Sequence, residues 1–272
     1  MEGYIVRAVY EVARQEFVRV LTYPLVPLAF LIVLIIAYLN GAGDVQILQY
    51  MSAHEDGDAL LKGFGQSWGS TSMICTIMAV FLGATSIPYE RWNNSINVLL
   101  TKPLYRRDFI IGKFAGLSGF MLLFNTFTLL LIGLLMIVFF RGPQSNFEFA
   151  WRFAAYIIVM SLSCSLVIAL NMLFGMISKN ILVVTSASIT YVFFDWIWYN
   201  DRIIYGLSIL TPMNLYHNII APFAEPFNPM FNTIVPFNQW FYAAIPFIAI
   251  LIIEMSILLL AGIHLFSKDD SI

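Results

Sequence analysis

Six apolar runs separated by short polar breaks set the pattern of this chain, at about 24–39, 70–87, 109–140, 153–177, 181–198 and 241–266. A helix of about twenty apolar residues crosses the ~30 Å hydrocarbon core of a bilayer, so each run predicts one membrane span. The first run is slightly short and must recruit 21–23. Pro24 fits a first helical turn, whereas Pro27, farther in, predicts a bend. Pro88 closes the second run. The third is longer than a bilayer needs, so its first turns rise from the membrane surface. Its Gly112, Gly116 and Gly119 make a small-residue face, which predicts close helix packing and, as a sharper reading, a contact between two copies of the chain.

Residues 1–22 have a different period. Ile5, Val9, Val12, Ala13, Phe17, Val20 and Leu21 share one helical face, and Arg7, Glu11, Arg14 and Gln15 share the other. Such a helix lies in the interface, apolar side toward acyl chains and charged side toward the cytoplasm. Glu16 and Arg19, three apart, form at most a weak pair. Acidic residues accompany the arginines here and the lead-in is long, so the first run is expected to stay as an anchor rather than be cleaved as a signal peptide.

The breaks differ in kind. Residues 40–70 are the most polar and read as an extracytoplasmic loop; His54, Glu55, Asp56 and Asp58 are expected to be solvated there, since nothing fixes them at ligand spacing. Residues 141–152 read as a short outer hairpin and 178–180 as a tight cytoplasmic turn. Asp195 falls in an aromatic cluster with Trp196, Trp198 and Tyr199, an interfacial belt where water reaches it. Between 200 and 240, the pieces 203–210 and 215–223 are too short to span, and Pro212, Pro222, Pro226, Pro229 and Pro236 punctuate them. Half-length helices dipping into the outer leaflet fit this region.

Composition removes the soluble alternatives: 60% of the 272 residues are hydrophobic, 11% are charged, and the mean hydropathy is +0.82. The net charge of −2 says little. Its distribution says more. With six spans and both termini inside, about ten of the 14 Lys and Arg fall on the cytoplasmic side, as short basic loops require. The reading is an all-α polytopic membrane protein of the cytoplasmic (inner) cell membrane, one domain over 1–272. It has six transmembrane helices, an N-terminal interfacial helix, a cytoplasmic loop at 88–108 and a re-entrant region before the last span. Cys75 and Cys164 lie inside apolar runs, where buried free thiols are expected.

The stretch 87–113 is basic, carrying Arg91, Lys102, Arg106, Arg107 and Lys113 between two spans, and Ile96, Leu99 and Leu100 predict a short amphipathic helix ended at Lys102 and Pro103. The order Glu90-Arg91, Asn94-Ser95, Leu99-Leu100, Pro103, Arg106-Arg107-Asp108 and Gly112-Lys113 resembles the ABC-2 family of ABC-transporter permeases. In that family the stretch forms the elbow and coupling helix that dock on the ATPase. Two positions depart from its pattern: Asn94-Ser95 stands for the usual Gly-Thr, and Tyr105 for a small residue. The resemblance covers nearly the whole chain. It implies a permease subunit of an ATP-driven exporter, paired with a second permease copy and with a separate ABC ATPase that binds the ATP and Mg. It also implies that Glu90, Arg91, Leu99, Pro103, Arg106, Arg107 and Asp108 serve coupling, with Arg106 and Arg107 meeting acids or carbonyls of the ATPase and Glu90 pairing internally. The initial helix is then either part of the grip on the ATPase or a simple anchor.

Chemistry elsewhere is sparse. Glu254, in mid-span, is either a functional acid facing a substrate or ion, or a carboxyl hydrogen-bonded between helices. Asn125 and Asn171 could line a substrate path, though interhelical hydrogen bonding explains them better. Met213 and His217 are four apart, but in so Met-rich a chain that spacing assigns no metal; Met172 and Met176 read as packing. The chain has no phosphate loop, no H-E-x-x-H, no G-x-S-x-G and no repeated half, so it is not expected to be an enzyme or an inverted-repeat carrier, to hold a cofactor of its own, or to bind nucleic acid. Two other functions remain open: force transmission to an extracytoplasmic partner, as ABC-2 members do in copper maturation of nitrous oxide reductase, and an ATP-independent carrier or scaffold.

Overall fold

The structure is a computed structural model that describes residues 2–43, 49–50, 57–92, 106–140, 142–178, 180–198, 210–223 and 228–268. Among them there is no strand. The principal elements are α1 (Glu2–Leu21), α2 (Leu25–Gly43), α3 (Ala59–Trp92), α4 (Arg106–Phe139), α5 (Asn146–Ile177), α6 (Ile181–Trp198), α7 (Pro212–Ile220), a 3-10 turn (Pro229–Phe231) and α8 (Phe237–Lys268).

Four of these, α3, α4, α5 and α8, are long and apolar enough to cross a membrane, and a fifth span results if α1 and α2 are taken together across a 64° bend. The apolar run at 181–198 does form a helix, but at 18 residues it is about 27 Å long, less than the hydrocarbon core. The bend sits at residues 22–24, not at Pro27. Pro27 falls in the first turn of α2, where no intrahelical N–H is lost.

Two helices, α3 at both ends and α5 at its start, begin or end differently from the sequence pattern. The first twelve positions of α3 were expected in a polar loop, yet the helix starts at Ala59. Asp58 starts it. Its Oδ1 accepts the Leu60 N–H at 2.9 Å, and its Oδ2 accepts the Gln144 N–H at 2.9 Å. Asp58 is therefore buried at a helix terminus rather than solvated; residues 51–56, with His54, Glu55 and Asp56, lie outside the described residues. Pro88 does not stop α3, which runs on to Trp92. The outer hairpin is shorter than 141–152 because α5 starts at Asn146, where Ser145 Oγ accepts the Glu148 N–H. At both helix starts a capping partner outweighs local polarity.

The centre of the bundle is α5, packed against α3, α4, α6, α7 and α8, with α4 joining it to α1 and α2. Cys75, Phe120, Phe124, Met160, Cys164 and Ile168 belong to the core, and both cysteines are free and buried. By contrast α8 turns most of its surface outward, including Ile253, Ile257 and Leu260.

The small-residue face of α4 is used inside the chain. A Cβ on Gly112 would lie 2.7 Å from Val12 Cβ, and one on Gly116 would lie 2.5 Å from the Ala13 carbonyl oxygen. Close packing was expected there, but the partner is α1, so this face is not open to a second copy. For the same reason the apolar stripe of α1 (Val12, Val20, with Phe17 beside it) lies on α4 rather than toward acyl chains. Gly116→Val puts carbon against backbone that no rotamer relieves. It is expected to displace α1 at a cost of about 1–3 kcal/mol, read as a lower unfolding temperature and faster trypsin cleavage after Arg14.

Candidate functional site: the charged elbow

At the end of the bundle where α3 stops and α4 starts, four charged side chains converge from three helices. Glu16 and Arg19 come from α1, Glu90 from the last turn of α3, and Lys113 from the second turn of α4. Arg19 donates to Glu16 Oε1 at 2.5 Å and to Glu90 Oε1 at 2.6 Å. Lys113 Nζ donates to Glu16 Oε2 at 2.9 Å and to Glu90 Oε1 at 3.0 Å. Two cations thus share two carboxylates, and the cluster is neutral. Its centre is dry, with the Lys113 and Glu16 side chains 1% and 4% exposed, while Arg19 and Glu90 reach its edge. Rings cover its edges, with the Arg19 guanidinium 5.3 Å from the Tyr89 centroid and Lys113 Nζ 5.4 Å from that of Phe109. Phe109 in turn stacks on Phe266 at 5.9 Å, bringing the end of α8 to the same place.

The α1 helix presents Glu16 to this cluster because Val12, Glu16 and Val20, four apart, lie along one buried ridge. A carboxylate at one step of that ridge needs cations opposite it. Arg19 was expected as a weak partner; Lys113, although part of the Gly112-Lys113 pair, was not expected to hold a site. The sequence did carry a signal, a lysine between Ile110, Ile111 and Phe114 at the mouth of a span, where an ionised group needs a partner.

Next to the cluster, Arg91 reaches the C-terminus of α5, donating to Gly175 O at 3.3 Å and to Met176 O at 3.4 Å. A cation there satisfies carbonyls that have no intrahelical N–H partner and meets the negative end of the helix dipole. The two helices touch closely, since a Cβ on Gly175 would sit 3.0 Å from Pro88 Cδ. Arg107 is mostly exposed, with its Nε 3.5 Å from the buried Asp108. Leu99 and Pro103 lie outside the described residues, as does the side chain of Arg106.

At the opposite end, Arg152 is fully buried and ties α5 to the 3-10 turn and to the segment that leads into α8. It donates to Glu148 Oε1, Pro229 O, Met230 O and Val235 O. An arginine there ran slightly against the charge rule; its charge is satisfied within the fold. Asn228, in the left-handed region at φ 50°, donates from Nδ2 to Gly65 O at 2.9 Å, and Asp58 N–H donates to Thr233 Oγ1 at 2.9 Å. The segment 228–235 is thereby fixed over the start of α3.

Between these ends, the three residues expected along a substrate path do not meet. Asn125 donates to Ser161 Oγ at 3.3 Å and joins α4 to α5. Asn171 donates to Val167 O of its own helix, about 15 Å along α5 from Ser161. Glu254 is half-buried on α8, with Asp195 as its electrostatic neighbour. Asp195 is itself buried rather than wetted: its Oδ2 accepts the Met213 N–H at 2.9 Å and so caps α7 from a different helix. His217 packs on Trp68, ring centroids 5.5 Å apart, and burial lowers its pKa from the ordinary imidazole value. No group of three metal-ligating side chains occurs among the described residues.

Compared with known families, the chain matches the model described as ABC-2 family transporter protein over residues 10–271. Among the curated proteins nothing matches it.

Proposed function

Since the chain belongs to the ABC-2 family of transporter proteins, as a multi-pass membrane permease subunit of an ABC transporter, we propose that its charged elbow receives the stroke of a separate ATPase and turns it into export. The single observation supporting this reading is the neutral four-residue cluster, which joins α1, the end of α3 and the start of α4 on either side of 93–105.

In this reading the elbow and both termini face the cytoplasm, and the ATPase docks at 88–108 and along α1. Closure of the ATPase on ATP pushes the loop. The push enters α3 and α4 together because Glu90 and Lys113 are locked to each other and to α1 through Arg19 and Glu16. Arg91 hands the displacement to α5 through the carbonyls at its C-terminus, and the stacked Phe109 and Phe266 hand it to α8. Glu90 braces the joint and does not dock. Arg107, mostly exposed at the start of α4, turns outward with Arg106 toward acids or carbonyls of the ATPase, its long contact with Asp108 being the one it gives up. A second permease copy completes the central path, and of the three polar positions only half-buried Glu254 is placed to face it, since Asn125 and Asn171 are enclosed within one bundle.

Arg106→Glu with Arg107→Glu reverses two charges at the docking surface and none in the buried cluster. The expected result is normal membrane assembly with loss of permease-stimulated ATP hydrolysis by the co-expressed ATPase. Full stimulation in the double variant would overturn the docking role of these arginines.

A further inference from the structure

The bend between α1 and α2 opens a cleft beside the elbow, sharing only Arg19 with its charged cluster. It has a volume of about 230 Å³ and lies between α2 and α3, with Leu117 of α4 in its wall. Its lining changes along its length. At the bend it carries Arg19, Tyr23, Thr85 and Tyr89; away from the bend it is apolar, with Leu28, Ile32, Ile74, Ile77 and Phe81. From Tyr89 to Ile74 the helix rises about 22 Å, enough to pass from the membrane surface to beyond the middle of a ~30 Å core. Tyr89 lies in the last turn of α3, one of the helices long and apolar enough to cross the membrane, so the polar rim sits at the end of a span, near the level of the headgroups. The mouth is apolar as well: Leu28, Ile32 and Ile77 are 50%, 41% and 44% exposed.

We propose that this cleft is a binding site for one membrane phospholipid of the leaflet on the elbow side, one acyl chain lying along α2 and α3 and the glycerol–phosphate region at the rim. The fit is chemical at both ends. The apolar walls match a saturated chain and offer it no polar group to desolvate. At the rim, Arg19 gives one hydrogen bond each to Glu16 and Glu90 out of the five N–H donors of a guanidinium, and a quarter of its side chain remains exposed, so it has donor capacity left for a phosphate oxygen. Tyr23 and Tyr89, edge to face at 6.4 Å, bring phenols to the same level, as aromatic residues do at membrane surfaces. Lipid tails are as apolar as any other helix face, so burial alone would not hold a lipid here. The rim contacts and the concave shape supply the preference. Naming the leaflet as cytoplasmic rests on the proposed orientation; the cleft and its occupant do not.

The test uses the full chain reconstituted in phosphatidylcholine vesicles that include phosphatidylcholine with a photoactivatable diazirine in one acyl chain. Adducts are mapped by peptide mass spectrometry. Leu28, Ile32 and Ile77 are expected to label severalfold more than Ile253 and Ile257 of α8, which are similarly or more exposed. Ala29→Phe and, independently, Ile32→Trp fill the cleft and should abolish the excess while leaving the α8 adducts unchanged. Even labelling of all exposed apolar faces, or an excess that survives both substitutions, would overturn the site. ATP hydrolysis is not read, so the outcome is separate from that of the coupling test.

Discussion

Lys113→Met is expected to be the most damaging single change at the elbow. It leaves Glu16, 4% exposed, and half-buried Glu90 sharing one guanidinium, two carboxylates against one cation. Removing one partner of a buried ion pair costs about 3–5 kcal/mol, because the orphaned charge keeps its desolvation penalty. The thermal unfolding temperature of the detergent-purified protein should fall accordingly. The companion variant separates charge from packing: Lys113→Met with Glu16→Gln restores a neutral cluster, with Arg19 and Glu90 still paired. It should recover most of the stability, since buried pairs often stand little above well-packed neutral substitutes. Stimulation of the ATPase should nonetheless stay low, because α4 is then no longer tied to α1 and α3 by charge. A double variant as unstable as the single one would mean that Lys113 acts through its packing against Phe109; full stimulation would mean that the cluster holds the fold and transmits nothing.

The second large effect is expected at the opposite end. Arg152→Met removes a buried cation that serves three carbonyl oxygens and Glu148. Several buried acceptors lose their donor at once, and the loss should again be about 3–5 kcal/mol. Because those carbonyls belong to 229–235, the disturbance should be local before it is global: a cysteine at Thr233 should react with a polar maleimide much faster in the variant. Arg152→Lys should behave almost as badly, since one ammonium cannot reach acceptors on Glu148, the 3-10 turn and Val235 with the geometry of a guanidinium fork. Unchanged thiol reactivity in both variants would show that Asp58 and Asn228 hold the segment without help.

The two ends differ in how much of them could be read along the chain. Basic side chains beside a span signalled the elbow, and the order from Glu90 to Lys113 pointed to its family. Nothing in the sequence pairs Arg152 with 229–235, because the interaction joins positions about eighty residues apart and its acceptors are backbone carbonyls, which every residue has. Asp58 looked like one acid among several in a polar loop; its burial follows from where Gln144 and Thr233 arrive. The starts of α3 and α5 were misplaced for a related reason. Local polarity predicts solvent, while a helix packed against neighbours can carry Gly, Ser and Gln in its first turns.

By itself, then, the sequence determined what one-dimensional patterns can: membrane residence, an all-helical fold, the positions of the long apolar helices and a basic stretch between two of them. Period and composition fix these because each depends on a residue and its near neighbours. Tertiary structure alone decided that the glycines of α4 receive α1, that Glu16 and Lys113 meet across 97 residues, that Asp195 caps a helix not its own, and that a cleft opens at the bend. Those outcomes depend on which helix faces which. A buried charge or a bare glycine states that it needs a partner, and only packing supplies it.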